Sequence, residues 1–265
     1  MKIILSILTS VTIWSFFNLT SYADSTIENL EQSCYDWNFQ ACYDLAVEYN
    51  KGEKVVKDSS KAHELFEEAC EGGLAAGCGG VGGDYSAGIG VKQDIQRALY
   101  YFHKACDMGD MSTCGLLGSI YLLGKNYTMS AKMFKKTCDS GNAEDCTNLG
   151  RQYNEGKGVK KDLSKAMNLF KRACDSGDLK ICLVVGDAYF NGKIYKKDYF
   201  KAAKYMKKSC DGGVGLACGL LGFMTEKGGY GIRKSINNAK DLYQKACSLN
   251  EKQGCAEYNR LNYQN

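Results

Sequence analysis

The sequence predicts an all-α fold in which paired helices repeat along the chain as a solenoid. Its 265 residues include fourteen cysteines, and these form seven pairs that share the spacing C-x7-C. The first cysteines of successive pairs lie 36, 36, 32, 36, 36 and 37 residues apart. A period of this size is typical of helical repeat proteins. The seven pairs are Cys34 with Cys42, Cys70 with Cys78, Cys106 with Cys114, Cys138 with Cys146, Cys174 with Cys182, Cys210 with Cys218, and Cys247 with Cys255.

Residues 1–23 have the composition of a secretory signal peptide. Lys2 precedes a largely apolar stretch from Ile3 to Phe17, and the segment that ends at Ala23 is a small-x-small cleavage site. An uncleaved membrane anchor is the alternative, but the apolar stretch is shorter than the roughly 20 residues of a spanning helix. We therefore expect a secreted or periplasmic chain that starts at Asp24, in a compartment that oxidises cysteines.

Residues 24–265 are expected to form a single solenoid with about six full repeats and a partial repeat at each end. Charge is uneven along this part of the chain: residues 24–70 contain 11 acidic and 4 basic side chains, a net charge of −7, and the remainder carries +10. The sum of +3 is not the strongly basic balance of a nucleic-acid-binding protein. Solvated helix faces explain the asymmetry, and a surface for an anionic partner is the alternative.

The first helix of each repeat, helix A, carries the second cysteine of a pair. A small residue follows four positions later, and it is glycine in five repeats. Because glycine inside a helix costs about 1 kcal/mol relative to alanine, this register predicts close approach by a neighbouring helix. A tyrosine recurs seven positions after the cysteine, and its fixed register favours packing between helices over ligand stacking. Glycines that can adopt the left-handed conformation are expected to end the A helices: Gly52, Gly88, Gly124, Gly156, Gly192 and Gly228.

The second helix, helix B, is expected to begin twelve residues before the next first cysteine. A small residue eight positions before that cysteine and a bulky one four before it share one helical face, which predicts the side that packs inward. The two irregular spacings fall in the loops before Asn126 and Ser235, so both helices of every repeat remain intact. The predicted N-cap residues are Asp58, Asp94, Asn126, Asp162, Asp198 and Ser235.

Disulfides are the expected role of the cysteines. If helix B and the next helix A form an antiparallel hairpin, a cysteine in the last turn of one lies within the ~4.4 to 6.8 Å Cα separation of a cysteine early in the other. Metal binding is the rival interpretation, but C-x7-C is not a zinc-ligand spacing. The two histidines, His63 and His103, cannot serve seven pairs, and we expect neither a metal nor another cofactor.

The segment Cys146–Ala166, CTNLGRQYNEGKGVKKDLSKA, resembles the Sel1-like repeat. With the cysteine pairs and the signal peptide, the chain is similar to the secreted Helicobacter cysteine-rich proteins, a family that carries a β-lactamase label. The resemblance covers essentially all of residues 24–265 and departs from the pattern in the shortened third loop and at Thr225. It implies a right-handed, TPR-like superhelix whose A helices line a concave face. It also implies penicillin binding and slow β-lactam hydrolysis.

The residues themselves indicate no catalytic site, and the catalytic residues are unknown. The sequence contains no S-x-x-K and no K-T-G, so the serine-acylation set is missing. Ser140-Gly141-Asn142 fits a loose S-x-N, but its position predicts a turn. Gly77-x-Gly79-x-x-Gly82 fits a dinucleotide fingerprint only by letter, because it falls inside helix A and follows no strand. Asn126 fits a glycosylation acceptor, although its expected role is the N-cap.

Two functions remain open. One is a ligand-binding protein with the penicillin binding and weak β-lactamase activity that the resemblance implies. The other is a non-catalytic interaction scaffold that binds envelope or host partners, as extended repeat surfaces do. The expected occupants of the groove are a peptide, an envelope component or a host protein, with β-lactam or peptidoglycan fragments as further candidates. We expect no nucleic acid partner and no stable membrane insertion after signal cleavage.

Overall fold

A computed structural model describes residues 26–192, 194–229 and 232–263. Over these ranges the regular structure is helical, apart from one isolated bridge between Gly229 and Ile232. Fourteen helices lie within the described residues. They are α1 (26–35), α2 (Phe39–Lys51), α3 (Ser59–Glu71), α4 (Ala75–Ala87), α5 (Ile95–Asp107), α6 (Met111–Leu123), α7 (Tyr127–Asp139), α8 (Ala143–Glu155), α9 (Leu163–Asp175), α10 (Ile181–Asn191), α11 (Tyr199–Asp211), α12 (Gly215–Lys227), α13 (Ile236–Ser248) and α14 (Lys252–Tyr263).

The chain divides into two compact units, one that ends at Leu117 and one that begins at Gly118, so the boundary falls within α6. A single solenoid domain over residues 24–265 therefore stays a prediction. The predicted signal peptide lies outside the described residues. Among the described helices, none combines the length and the hydropathy needed to cross a bilayer.

The helices alternate as predicted, with helix A at even numbers from α2 and helix B at odd numbers. All six predicted N-cap residues lie at the start of a B helix and accept backbone hydrogen bonds. Asp58, for example, accepts from the backbone N–H groups of Ser60 and Lys61 at 3.1 and 3.0 Å. These side chains satisfy donors that the first turn of a helix leaves without a partner.

Each A-to-B loop closes with the same backbone hydrogen bond. The N–H of the N-cap residue donates to the carbonyl seven positions after the second cysteine, as between Asp162 and Tyr153 at 2.9 Å. The shortened loop keeps this bond between Asn126 and Tyr121 at 2.9 Å, and the lengthened loop keeps it between Ser235 and Thr225 at 3.0 Å. The irregular spacings therefore change only the loops, as predicted.

All six A helices end at the predicted glycines, but two of these glycines do not adopt the predicted left-handed conformation. Four helices do end at a left-handed glycine, with φ between 70° and 76°. In the shortened loop the left-handed residue is Lys125 (φ 60°) instead of Gly124, because only Gly124 and Lys125 connect α6 to the cap of α7. Gly228 has φ 68° but an extended ψ of −171°, which directs the chain into the longer loop.

Glycine in helix A accommodates the bulky residue of helix B. A Cβ atom added at Gly150 would lie 2.6 Å from the ring of Phe170, and one at Gly118 would lie 2.6 Å from the ring of Phe134. The same pairing joins Gly82 to Phe102, Gly186 to Met206 and Gly222 to Tyr243. The predicted close approach is confirmed, but the nearest atoms belong mostly to side chains and not to the neighbouring backbone. The bulky residues are 6% exposed or less, which places them in the core.

All seven predicted cysteine pairs form disulfides. Their Cα–Cα distances lie between 4.4 and 4.8 Å. Each bond joins the end of a B helix to the early turns of the next A helix, across the turn that the sequence predicts. No cysteine among the described residues is free.

Candidate functional site

The motifs that suggested chemistry occupy structural positions. Ser140 and Asn142 lie in the turn between α7 and α8, where the Ser140 hydroxyl donates to the carbonyl of Thr137 at 2.7 Å. The Asn142 side chain caps α8 by accepting from the N–H of Asp145 at 2.9 Å. Asn126 caps α7 in the same way. The three glycines of the dinucleotide-like motif lie within α4. The turn and cap interpretations are therefore confirmed.

His63 is a buried residue with carboxylates on both sides of its ring. Its Nδ1 lies 3.0 Å from Oδ2 of Asp84, and its Nε2 lies 3.5 Å from Oε1 of Glu67. His63 and Asp84 are only 5% and 4% exposed. Burial raises the pKa of Asp84, and the hydrogen bond and charge of His63 act in the opposite direction. The sequence does not predict the carboxylate that pairs with His63.

A sequence signal for this pair does exist. Asp84 lies six positions after the second cysteine, a register that holds Ala188 in α10 and Met224 in α12, both buried. An acidic side chain at an inward register predicts a buried partner. His103 lies on a different helix, α5, and the ring of Tyr85 meets that of His63 edge-on at a centroid distance of 5.1 Å. His63 and Asp84 therefore form a buried contact between α3 and α4.

The recurring tyrosines pack against cations of the following helix. Lys165 Nζ lies 5.5 Å from the ring centre of Tyr153, and Lys201 Nζ lies 5.4 Å from that of Tyr189. Lys61 over Tyr49 and Arg97 over Tyr85 repeat the arrangement in the first unit. Where Thr225 replaces tyrosine, the cation nine residues before the next first cysteine is also missing, because Asn238 occupies that position. The rings take part in cation–π contacts between helices, which favours the packing interpretation.

A cleft of about 420 Å³ in the second unit is a candidate ligand site. It lies between α12 and α14, with Tyr243 of α13 at its base. Leu216 and Phe223 of α12 line it and are 46% and 45% exposed. Gly219 lies between them, and a Cβ atom added there would meet only Ala246, at 4.0 Å. The absence of a side chain at this position leaves the cleft open.

A buried carboxylate forms the polar end of the cleft. Glu226 is 8% exposed, accepts from the hydroxyl of Tyr243 at 3.0 Å, and pairs with Nη2 of Arg260 at 2.6 Å. Arg260 also pairs with Glu257 through Nε at 2.6 Å. Burial and the neighbouring carboxylate of Glu226 raise the pKa of Tyr243, so its hydroxyl remains a donor. The network fixes the charged end, while Leu216 and Phe223 leave the other side apolar.

The same face of another A helix is polar. In α8 the registers of Leu216, Leu220 and Phe223 hold Glu144, Asn148 and Arg151, which line a shallow depression. The apolar face of α12 is therefore not required by the repeat. Exposed apolar side chains beside a concavity mark binding surfaces more often than isolated exposed residues do.

One cluster has the composition of a metal site. Cys34, Cys42 and Glu68 place potential ligand atoms within 4.8 Å of one another. The two sulfur atoms form a disulfide, so neither is available as the thiolate that a metal would need. These residues do not fit a metal ion.

The model of the Sel1 repeat matches this chain six times. The matched segments are residues 39–74, 76–110, 113–142, 143–178, 182–214 and 215–251. Each combines a helix A with the following helix B. A comparison with curated protein sequences gave no match.

Solved structures of repeat proteins resemble the fold. A protective antigen of uropathogenic Escherichia coli with an SLR fold is 25% identical, with a TM-score of 0.74 over 90% of this chain and 52% of its own. The present chain thus spans about half the length of that protein. A Sel1 repeat protein of Oxalobacter formigenes is 24% identical, with a TM-score of 0.58 over 80% of this chain and 88% of its own.

Cysteine rich protein B of Helicobacter pylori is 33% identical over 49% of this chain and 97% of its own, with a TM-score of 0.38. The six repeat matches cover most of the chain, and the helix pairs follow their boundaries. The chain belongs to the Sel1 repeat family.

Proposed function

We propose that this protein is an exported, disulfide-stapled interaction scaffold, whose cleft between α12 and α14 binds a peptide segment of another protein. The observation that carries the proposal is the exposed apolar face of α12 beside an open cleft with a fixed charged end. Clefts that combine apolar walls with a few oriented polar groups are typical of ligand sites. The occupant best matched to these walls is a large apolar side chain of the partner, with polar backbone groups near Arg260 and Lys227.

Export is supported by the oxidised cysteines. Disulfides persist in a periplasm or outside the cell, and cytosolic thiols are kept reduced. Seven disulfides fit the former compartments. The proposed signal peptide at residues 1–23 is consistent with them.

A variant that fills the cleft tests the binding proposal. Gly219→Leu adds a side chain at the wall of the cleft, where its Cβ atom would meet only Ala246, at 4.0 Å. Gly83→Leu in α4 is the matched control, since a Cβ atom there has nothing within 4 Å. Oxidised protein and both variants would be incubated with envelope and host extracts, cross-linked and compared by quantitative mass spectrometry. We expect at least one partner to be depleted about tenfold by Gly219→Leu and retained by Gly83→Leu.

The β-lactam hydrolysis that the resemblance implies receives no support from the described residues, because Ser140 and Asn142 serve a turn and a cap. Turnover of a chromogenic cephalosporin by protein from a lactamase-free host, above the empty-vector control, would favour the hydrolase.

Partner capture that is unaffected by Gly219→Leu would contradict the proposed binding of a peptide in the α12–α14 cleft.

A further inference from the structure

The first B-to-A turn departs from the other turns at a position that otherwise favours glycine. Three residues after the first cysteine, the chain adopts a positive φ in every turn. Five turns have glycine there, with φ between 85° and 111°, and the last has Asn250. The first turn has Trp37, with φ 65°. A bulky residue rarely adopts this conformation, because its Cβ atom crowds the backbone.

Trp37 remains largely exposed despite its strained backbone. Its side chain is 75% exposed, and its ring meets that of Phe39 edge-on at a centroid distance of 6.2 Å. Tyr35, in the same turn, is 80% exposed. The two rings therefore add large apolar area to the surface of the first unit without stabilising its core. Strained residues cluster at functional sites, so the strain at Trp37 points to a function of this turn.

The charge of this turn is also altered. In α9, α11 and α13, a basic side chain contacts an acidic side chain of the preceding B helix. The basic residue lies two positions before the first cysteine of its own pair, and the acidic residue lies one position after the first cysteine of the preceding pair. Arg172 contacts Asp139 at 3.2 Å, and Lys245 contacts Asp211 at 3.3 Å. At the corresponding positions around the first turn, Glu68 stands in place of the basic residue and Tyr35 in place of the acidic residue.

Glu68 lies beside the turn, with its Oε2 3.7 Å from Sγ of Cys34. No cation pairs with Glu68 or with Asp36 in the described part of the chain, and residues 24–70 carry a net charge of −7. We call Tyr35, Asp36, Trp37 and Glu68 the first-turn patch. It combines exposed aromatic rings with carboxylates that have no cationic partner.

We propose that the first-turn patch is a docking surface for a cationic segment of another protein, with an arginine or lysine over Trp37. Tryptophan is the aromatic side chain that attracts a cation most strongly, and an arginine can pair with a carboxylate while it stacks on the ring. The negative charge opposes nucleic acids and anionic membranes, so charge complementarity selects a basic polypeptide. The patch lies in the first unit and adds to the proposed α12–α14 cleft, which lies in the second.

Trp37 is a built-in reporter for this interaction. The sequence has two tryptophans, Trp14 and Trp37, so Trp14→Phe leaves Trp37 as the sole source of tryptophan emission whether or not residues 1–23 are removed. The probe is an acetylated nonapeptide with arginine at every third position and glycine elsewhere, and the control peptide has glutamate in place of arginine. We expect the arginine peptide alone to change the emission of Trp37, and its affinity to fall as salt is raised.

Two variants that restore the residues of the other turns separate binding from folding. Trp37→Gly and Glu68→Lys should each weaken the calorimetric affinity for the arginine peptide about tenfold, while the melting temperature stays equal or rises. Phe200→Ala removes another exposed aromatic ring, 66% exposed, and should leave the affinity unchanged.

Unchanged affinity in Trp37→Gly would overturn the proposal, as would emission that does not respond to the arginine peptide. Concentration-dependent self-association that Trp37→Gly abolishes would also overturn it, because the occupant would then be a second copy of the chain. If Trp37→Gly fails to fold, Tyr35→Ala combined with Glu68→Lys provides the same comparison.

Discussion

His63 and Asp84 form a buried ionisable pair, whereas the register of Asp84 holds the apolar residues Ala188 in α10 and Met224 in α12. Both groups are nearly inaccessible to water, and their atoms approach to 3.0 Å. A buried pair of this kind is weak evidence of net stabilisation, since both partners lose hydration. Removing only one partner has a much larger cost, because the other remains buried without compensation.

We therefore predict that His63→Ala destabilises the first unit by about 3 kcal/mol, the loss typical of breaking a buried pair. The measurement is the free energy of unfolding from chemical denaturation of the oxidised protein. In an Asp84→Asn background, the same histidine substitution should cost less than half as much, because no buried charge is left behind. Equal costs in the two backgrounds would show that the pair is not coupled.

The pH dependence of this loss follows from the carboxyl group. Burial raises the pKa of Asp84, and His63→Ala removes the hydrogen bond and charge that oppose the increase. The folded variant then binds a proton that the unfolded chain, with an Asp pKa near 3.9, does not. Stability rises as pH falls under that condition. The deficit of His63→Ala relative to the unmodified protein should therefore shrink between pH 7 and pH 4.

At the scale of the elements, a polar network accompanies the shortened loop. Ser130 replaces the alanine found at its register in five other B helices, and its hydroxyl donates to the carbonyl of Gly118 at 2.9 Å. Gln152 of the next A helix donates to the Ser130 hydroxyl at 2.8 Å. Ser130 and Gln152 are at most 3% exposed. Three consecutive helices, α6 to α8, are thus joined by buried hydrogen bonds.

Loop α8–α9 contacts an earlier helix through a glycine. Gly158 has φ 70°, and a Cβ atom there would lie 2.2 Å from the backbone of Tyr127 at the start of α7. We predict that Gly158→Ala destabilises the second unit by at least about 2 kcal/mol, from left-handed strain and the backbone clash together. The unfolding free energy of the oxidised protein measures this loss.

Gly83→Ala is the control, and we expect it to raise the unfolding free energy instead of lowering it. Its Cβ atom would have nothing within 4 Å, and it lies inside α4. Alanine there should stabilise the helix by up to about 1 kcal/mol. If both alanine variants changed stability in the same direction, the contact between Gly158 and Tyr127 would not be the cause.

Across the whole molecule, the sequence predicts features that repeat more completely than features that occur once. Cysteine spacing, B-helix caps and the inward face of helix B recur in six or seven copies, and the structure confirms them. The left-handed Lys125, the His63–Asp84 pair and the apolar face of α12 each occur at one position. A residue that differs in a single repeat gives no periodic signal in the sequence. Its role becomes clear only from its contacts with neighbouring helices in the structure.

The disulfides lead to the last prediction, because a one-dimensional repeat array has no single large core. Each bridge closes a loop with a sequence separation of 8, for which chain entropy gives about 2.5 kcal/mol. Replacing Cys174 and Cys182 together by alanine should lower the unfolding free energy by about that amount and preserve the fold.

Reduction of all seven bridges should abolish the cooperative thermal transition followed by circular dichroism. Alkylation of the unreduced, denatured protein should add no label by mass spectrometry, whereas labelled cysteines or an unchanged transition after reduction would contradict this role.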